Sequence, residues 1–130
     1  MIALDTSAIV AIALREPEAV AFGEAIGAEH CLIGWPTVLE SHLVLSAVPR
    51  RRGLEVLEKV LNAPRIDVIA FDRNAYETAR DAFDRFGRGR HPAKLNFGDC
   101  MAYAVAKAHR APLLYKGNDF VLTDIQPALP

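Results

Sequence analysis

The sequence predicts a three-layer α/β/α domain built around a central, mostly parallel sheet of four to five strands. Two observations carry that prediction. Short apolar runs alternate along the chain with longer segments whose apolar residues recur at helical spacing, and such alternation marks a parallel sheet with helices on both faces. Pro, Gly and Asp punctuate the joins between runs, with no low-complexity linker and no internal repeat.

Taken in order, Ile2-Ala3-Leu4 reads as a short buried strand. Asp5-Thr6-Ser7 follows, and Thr6 or Ser7 is placed to cap a helix reaching about Leu14. Pro17 suits the first residue of a second helix, with Val20 and Ile26 on its apolar side and Gly27 at its end. Cys31-Leu32-Ile33 is a second strand. Pro36 starts a third helix with a stripe of Val38, Leu39, Leu43, Val44 and Ala47. Pro49 and Arg50-Arg51-Arg52-Gly53 interrupt it, and a fourth helix from Leu54 to Asn62 buries Leu54, Leu57, Val60 and Leu61. Ile66 to Phe71 is a third strand, after which Asp72 caps a helix from about Arg73 to Phe86. Gly87 to Lys94 is a basic, Gly/Pro-rich loop. Phe97 to His109 is an Ala-rich helix whose small residues allow close packing on a sheet. Pro112 to Tyr115 is a fourth strand, and Thr123-Asp124-Ile125 is a candidate fifth.

The composition fits that architecture. The chain has 130 residues, 52% of them hydrophobic and 24% charged. That length favours one domain over residues 1–130 and suffices for a real core. Such a balance excludes a disordered tail, a collagen-like repeat and a small disulfide scaffold. Fifteen basic and 16 acidic residues leave a net charge of −1. A polyanionic partner must therefore be met by a local patch. Cys31 and Cys100 form no C-x-x-C pair and read as reduced thiols. The apolar N-terminal run carries Asp5, lacks a basic leader region and falls short of the roughly 20 residues that span a bilayer. These features predict a cytoplasmic protein with no membrane partner.

Four acids stand out. Asp5 directly follows the first strand and Asp119 follows the fourth. Ligands of open parallel sheets bind beyond the carboxyl ends of the strands, where strand order reverses. If those two strands are neighbours, the two carboxylates face one another. Asp99 lies in the first turn of an apolar helix, and Glu40 lies within the third helix. Singly, each has an ordinary structural role: a turn or cap for Asp5, a macrodipole partner for Asp99, a solvated side chain for Glu40, a turn for Asp119. Together, they would repel one another in one cleft. A divalent cation relieves that repulsion, and an all-oxygen set favours Mg²⁺, with Mn²⁺ as a substitute, over zinc. Water activated by such an ion can attack phosphorus, so the pattern suits phosphodiester cleavage.

LDTSAIVAI, PTVLESHLVL, LNFGDCMAYAVAKAH and LLYKGNDF occur in the order and spacing of a PIN domain, and together they resemble the VapC-type toxins of bacterial toxin–antitoxin pairs. The resemblance covers essentially the whole chain. It implies a Mg²⁺-dependent endoribonuclease with metal-binding acids at Asp5, Glu40, Asp99 and Asp119. It further implies inhibition by a cognate VapB-like antitoxin, a homodimer, and contact with operator DNA only through that antitoxin. The pattern departs at one point: Asn118 precedes a single acid, Asp119, where some relatives carry two. Thr6, Ser7, Asn118 and Asn96 are candidates to hold water or orient the carboxylates, and equally candidates for caps.

RNA contact would need cations near this acidic site. Arg88, Arg90 and Lys94, with Arg85 and His91 in the same stretch, and Lys116 after the fourth strand are the candidates; a solvated basic loop is the alternative. The four histidines show no ligand spacing, and Trp35 reads as a packing residue. The apolar helices between Ser7 and Leu61 exceed what one sheet face covers, which predicts a protein interface. A non-catalytic PIN-like interaction module is the alternative function. A phosphoryl-transfer enzyme or receiver domain would want a second acid at Ser7 or adjacent acids near the first strand, and has neither.

Overall fold

The computed structural model describes residues 1–48 and 52–130. Pro49, Arg50 and Arg51 of the expected interruption lie outside that set. In chain order the elements are β1 (Ile2–Leu4), α1 (Thr6–Ala13), α2 (Ala19–Ala28), β2 (Cys31–Gly34), α3 (Trp35–Ser46), α4 (Arg52–Leu61), β3 (Ile66–Ile69), α5 (Arg73–Phe86), α6 (Phe97–Ala108) and β4 (Leu113–Leu114). The four strands form one sheet in the order β3-β2-β1-β4, every pairing parallel. Ala3 stands between Leu32 and Leu113 in register. The chain winds outward from β1 through β2 to β3, then returns to place β4 on the other side of β1. Strand order therefore reverses between β1 and β4.

Strand alternation makes the three layers. Ala3, Leu32 and Leu113 point to one face and pack with α5 and α6 around Tyr103, Leu95 and Phe86. Ile2, Leu4, Cys31, Ile33 and Leu114 point to the other and pack with Ile9, Phe22, Val38, Leu45, Leu57 and Val60 of α1 to α4. Each fully buried Leu or Ile contributes about 1.5–3 kcal/mol. The alanines of α6 at 102, 104 and 106 are buried, so that helix lies close on the sheet. Both cysteines are buried free thiols. Among the described residues, no helix is long and apolar enough to cross a membrane.

The structure corrects several local expectations. Asp5, rather than Thr6 or Ser7, caps α1, because its carboxylate accepts from the Ser7 N–H. Pro17 lies in a turn, and α2 begins two residues later. Phe22 is the buried residue of α2, while Val20 is 73% exposed. In α3 the buried stripe is Thr37, Val38, Ser41 and Leu45, and Leu39, Leu43 and Val44 face outward. Trp35 is likewise exposed. Thr123-Asp124-Ile125 forms no strand. The Thr123 hydroxyl donates to the Phe120 carbonyl and accepts from the Ile125 N–H, closing a turn. The chain meets β4 only afterwards, in an isolated bridge between Leu113 and Pro127.

Candidate active site

The adjacency of β1 and β4 places Asp5 and the loop bearing Asp119 side by side at the strand ends. Asp5 is buried. Its Oδ2 accepts from the Ser7 hydroxyl at 2.6 Å and from the Ser7 N–H at 3.1 Å. The Lys116 backbone N–H donates in turn to Ser7 Oγ at 2.9 Å. One hydroxyl therefore ties the segment after β4 to the acid after β1. Burial pushes the Asp5 carboxyl up to about 6 against the lowering pull of Ser7, and the Glu40 charge raises it further.

Asp99 sits in the first turn of α6 within a reciprocal cap. The Asn96 side chain accepts from the Asp99 N–H at 2.8 Å, and Asp99 Oδ2 accepts from the Asn96 N–H at 3.0 Å. Burial nevertheless drives the Asp99 carboxyl up to about 7. The Asn96 N–H opposes the rise, and the charges of Asp119, Asp5 and Glu40 add to it. Asp99 thus senses the other three acids, and among the described residues none of the four is paired with a cation.

Glu40 is half-buried and held from α1: the Thr6 hydroxyl donates to its Oε1 at 2.5 Å. Thr6 is itself set by α3. It lies 3.5 Å from the Thr37 carbonyl and 3.4 Å from the Ser41 hydroxyl, which donates to the same carbonyl at 2.8 Å. The far side of the Glu40 carboxylate rests where a Gly98 side chain would be. Asp119 and Asn118 are exposed, on the turn opened by Gly117 at φ +104°.

The donor set is all oxygen, in keeping with a hard divalent cation. Among the described residues, no three acidic, histidine or cysteine side chains already stand in ligating geometry. What the structure displays is two buried aspartates whose carboxyls are raised, by burial first and by neighbouring acids after it, together with hydroxyl and amide groups that hold Asp5, Asp99 and Glu40.

The basic candidates divide. Arg88, Arg90 and Lys94 are exposed on the loop that runs through buried Leu95 into the first turn of α6. Arg90 lies over the Phe83 ring at 5.3 Å. Arg85 instead lies 3.5 Å from Asp81 and 3.6 Å from Asp124. The Lys116 ammonium is tied to Glu16, with Glu18 at 3.2 Å. Sequence reasoning singled out neither Ser41 nor Gly98. The spacing Thr37-x-x-x-Ser41 on one helical face, with Glu40 beside it, was the available signal for the first.

A three-layer fold with Asp5 after β1 and Asp119 after the adjacent β4 points to the class. The chain belongs to the PIN domain family, whose model matches residues 2–125. Within it, ribonuclease VapC30 of Mycobacterium tuberculosis is 41% identical over 129 residues, covering 98% of each chain. Ribonuclease VapC of Mycolicibacterium smegmatis is 37% identical, over 94% of this chain and 95% of its own. The crystal structure of Mycobacterium tuberculosis VapC20, described as a Sarcin-Ricin loop cleaving toxin, shares the fold with a TM-score of 0.80 at 13% identity and full coverage of both chains. The crystal structure of VapBC2 from Rickettsia felis, bound to a DNA fragment from its promoter, contains a chain that matches with a TM-score of 0.70 at 18% identity, covering 98% of this chain and 96% of its own.

Proposed function

We propose that this protein is a Mg²⁺-dependent endoribonuclease, the toxin of a toxin–antitoxin pair, with Asp5, Glu40, Asp99 and Asp119 as its metal-binding acids. One observation carries the reading: two buried aspartates, raised to about 6 and about 7, lie near two further acids, with no cation partner among the described residues. Similarity over nearly the whole chain to proteins named VapC ribonucleases supports RNA as the substrate class.

The residues divide the work. Ser7 fixes the Asp5 carboxylate and, through the Lys116 N–H, the start of the loop that carries Asp119. Thr6 aims Glu40, and the Asn96 N–H holds one oxygen of Asp99. Asn118, exposed next to Asp119, is a candidate to hold water there. When bound, Mg²⁺ or Mn²⁺ supplies the Lewis acid that activates water for attack on phosphorus and neutralises the phosphate oxygens. Arg88, Arg90 and Lys94 offer phosphate contacts on the loop leading into Asp99. Lys116, the further candidate for RNA contact, is paired with Glu16 and Glu18 in the free protein.

The outward Trp35, Leu39 and Leu43 of α3 and Tyr76 of α5 support docking of a second copy and of a VapB-like antitoxin, with operator DNA reached only through the latter. The setting is the cytoplasm. The test is cleavage of total cellular RNA by purified protein in Mg²⁺ and in EDTA, beside Asp5→Asn. Discrete fragments that require both the metal and Asp5 are expected. Fragments that survive EDTA or the substitution would overturn the assignment.

A further inference from the structure

Gly98 immediately precedes Asp99 and is buried in the first turn of α6. Its φ lies outside the left-handed region, so conformational freedom does not explain a glycine here. Space does. A Cβ on Gly98 would lie 2.5 Å from Cδ and 2.7 Å from Oε1 of Glu40, and closer still to Oε2; all three nearest atoms belong to that carboxylate. The same Glu40 Oε1 accepts the Thr6 hydroxyl.

We propose that Gly98 is a positioning residue, whose missing side chain is the gap that lets the Glu40 carboxylate, held by Thr6, sit beside Asp99. The inference rests on the reading that these acids serve one divalent-cation site. Its physical core is an asymmetry of costs. The colliding group is the far end of a flexible side chain, not backbone. A methyl group at position 98 therefore displaces Glu40 from the Thr6 hydroxyl while α6 stays in place. Alanine is also a better helix residue than glycine. The fold tolerates the change and the site does not.

The experiment is Gly98→Ala in the full chain, alone and with Glu40→Ala. In the metal-free protein, the ¹³C signal of the Glu40 side-chain carboxyl should shift as its bond to Thr6 is lost, while Tm stays level or rises. Mn²⁺ affinity, read by electron paramagnetic resonance, should fall by about 10- to 100-fold, the usual effect of removing support from a metal ligand. In the Glu40→Ala background, Gly98→Ala should change Mn²⁺ affinity by less than about twofold, because no carboxylate remains to displace. Wild-type affinity with an unmoved Glu40 signal would overturn the proposal, as would an equal loss in both backgrounds. If the wild-type protein binds no Mn²⁺, the cation-site reading fails instead, and the Glu40 signal alone still decides the role of Gly98.

Discussion

Helix α6 is bordered by two carboxylates that its surroundings treat in opposite ways. Asp124 docks on its flank. Its Oδ1 accepts the Tyr103 hydroxyl at 2.8 Å, its Oδ2 lies 2.6 Å from Lys107 Nζ, and Arg85 is 3.6 Å away. Those donors outweigh partial burial and hold the Asp124 carboxyl below its ordinary range. Asp99, in the first turn of the same helix, is driven up to about 7, by burial first and then by the charges of Asp119, Asp5 and Glu40. One acid is neutralised by the fold and stabilises it. The other is left in a like-charged cluster that folding alone has no reason to assemble. A carboxylate with partners reads as structure, and a buried one among like charges reads as a site awaiting a cation.

The largest expected effect breaks that contrast at its functional end. Asp99→Asn keeps an oxygen for the Asn96 N–H and removes the charge. Mg²⁺-dependent RNA cleavage should fall by about 100- to 1,000-fold, the scale of losing one group that stabilises transition-state charge. Tm of the metal-free variant should hold or rise, because repulsion is relieved. Gel-resolved cleavage kinetics beside thermal melts check both halves. A folded variant cutting at the wild-type rate would remove Asp99 from the site.

A pH series sharpens the same contrast. Asp5 at about 6 and Asp99 at about 7 lie above the ordinary 3.8. The native state therefore holds more protons than the unfolded chain across that window. Stability from these groups is present below about pH 4 and is lost as pH rises through 6 to 7. The slope approaches about 1.4 kcal/mol per pH unit for each acid titrating there. Tm of the metal-free protein should fall between pH 5 and 7.5, and saturating Mg²⁺ should flatten the fall by favouring the ionised acids. A metal-free Tm that climbs over that range contradicts the uncompensated cluster.

At the structural end, Asp124→Ala removes the acceptor from the fully buried Tyr103. An unsatisfied buried hydroxyl costs about 1–3 kcal/mol, and the exposed Lys107 and Arg85 pairs add little. Denaturant unfolding should show a loss of about 1–2 kcal/mol. Asp124→Asn, which keeps an acceptor, should recover most of it. If Asn is as damaging as Ala, charge rather than the Tyr103 bond dominates.

Much of this was legible in the sequence. All four strands and α5 with its Asp72 cap follow from local pattern. The sequence set a cap for Asp5 and a macrodipole role for Asp99 against a role in the site, whereas the structure gives both carboxylates capping hydrogen bonds beside the other acids. Periodicity assigned Leu39, Leu43 and Val44 of α3 to the core because it counts apolar residues. The fold instead buries Thr37 and Ser41, whose hydrogen bonds set Thr6 behind Glu40. Thr123-Asp124-Ile125 has strand-like residues, but Asp124 is claimed by Tyr103 and Lys107 from α6. The pairing of Lys116 with Glu16 and Glu18 was not legible, because those acids are distant in sequence. For Thr37, Ser41 and Asp124 the partner is brought in by tertiary contact, which local pattern does not show.

The contrast between partnered and unpartnered charge extends to the cations, where the smallest effects lie. Lys116 is held by Glu16 and Glu18, so withdrawing its ammonium for a phosphate would strand two acids. Arg88 and Lys94 stand exposed on the loop that leads into Asp99. RNA binding should separate them. With cleavage silenced by Asp5→Asn, affinity for a short single-stranded RNA can be followed against salt by fluorescence anisotropy. Each phosphate contact on a single strand contributes about 0.7 to the slope of log affinity against log salt. Arg88→Ala and Lys94→Ala should each lower that slope by about that amount and weaken binding a few-fold, while Lys116→Ala leaves it unchanged. The reverse pattern would mean that Lys116 abandons its carboxylates when RNA arrives, and that a charge partnered in the free protein is held in reserve for the substrate.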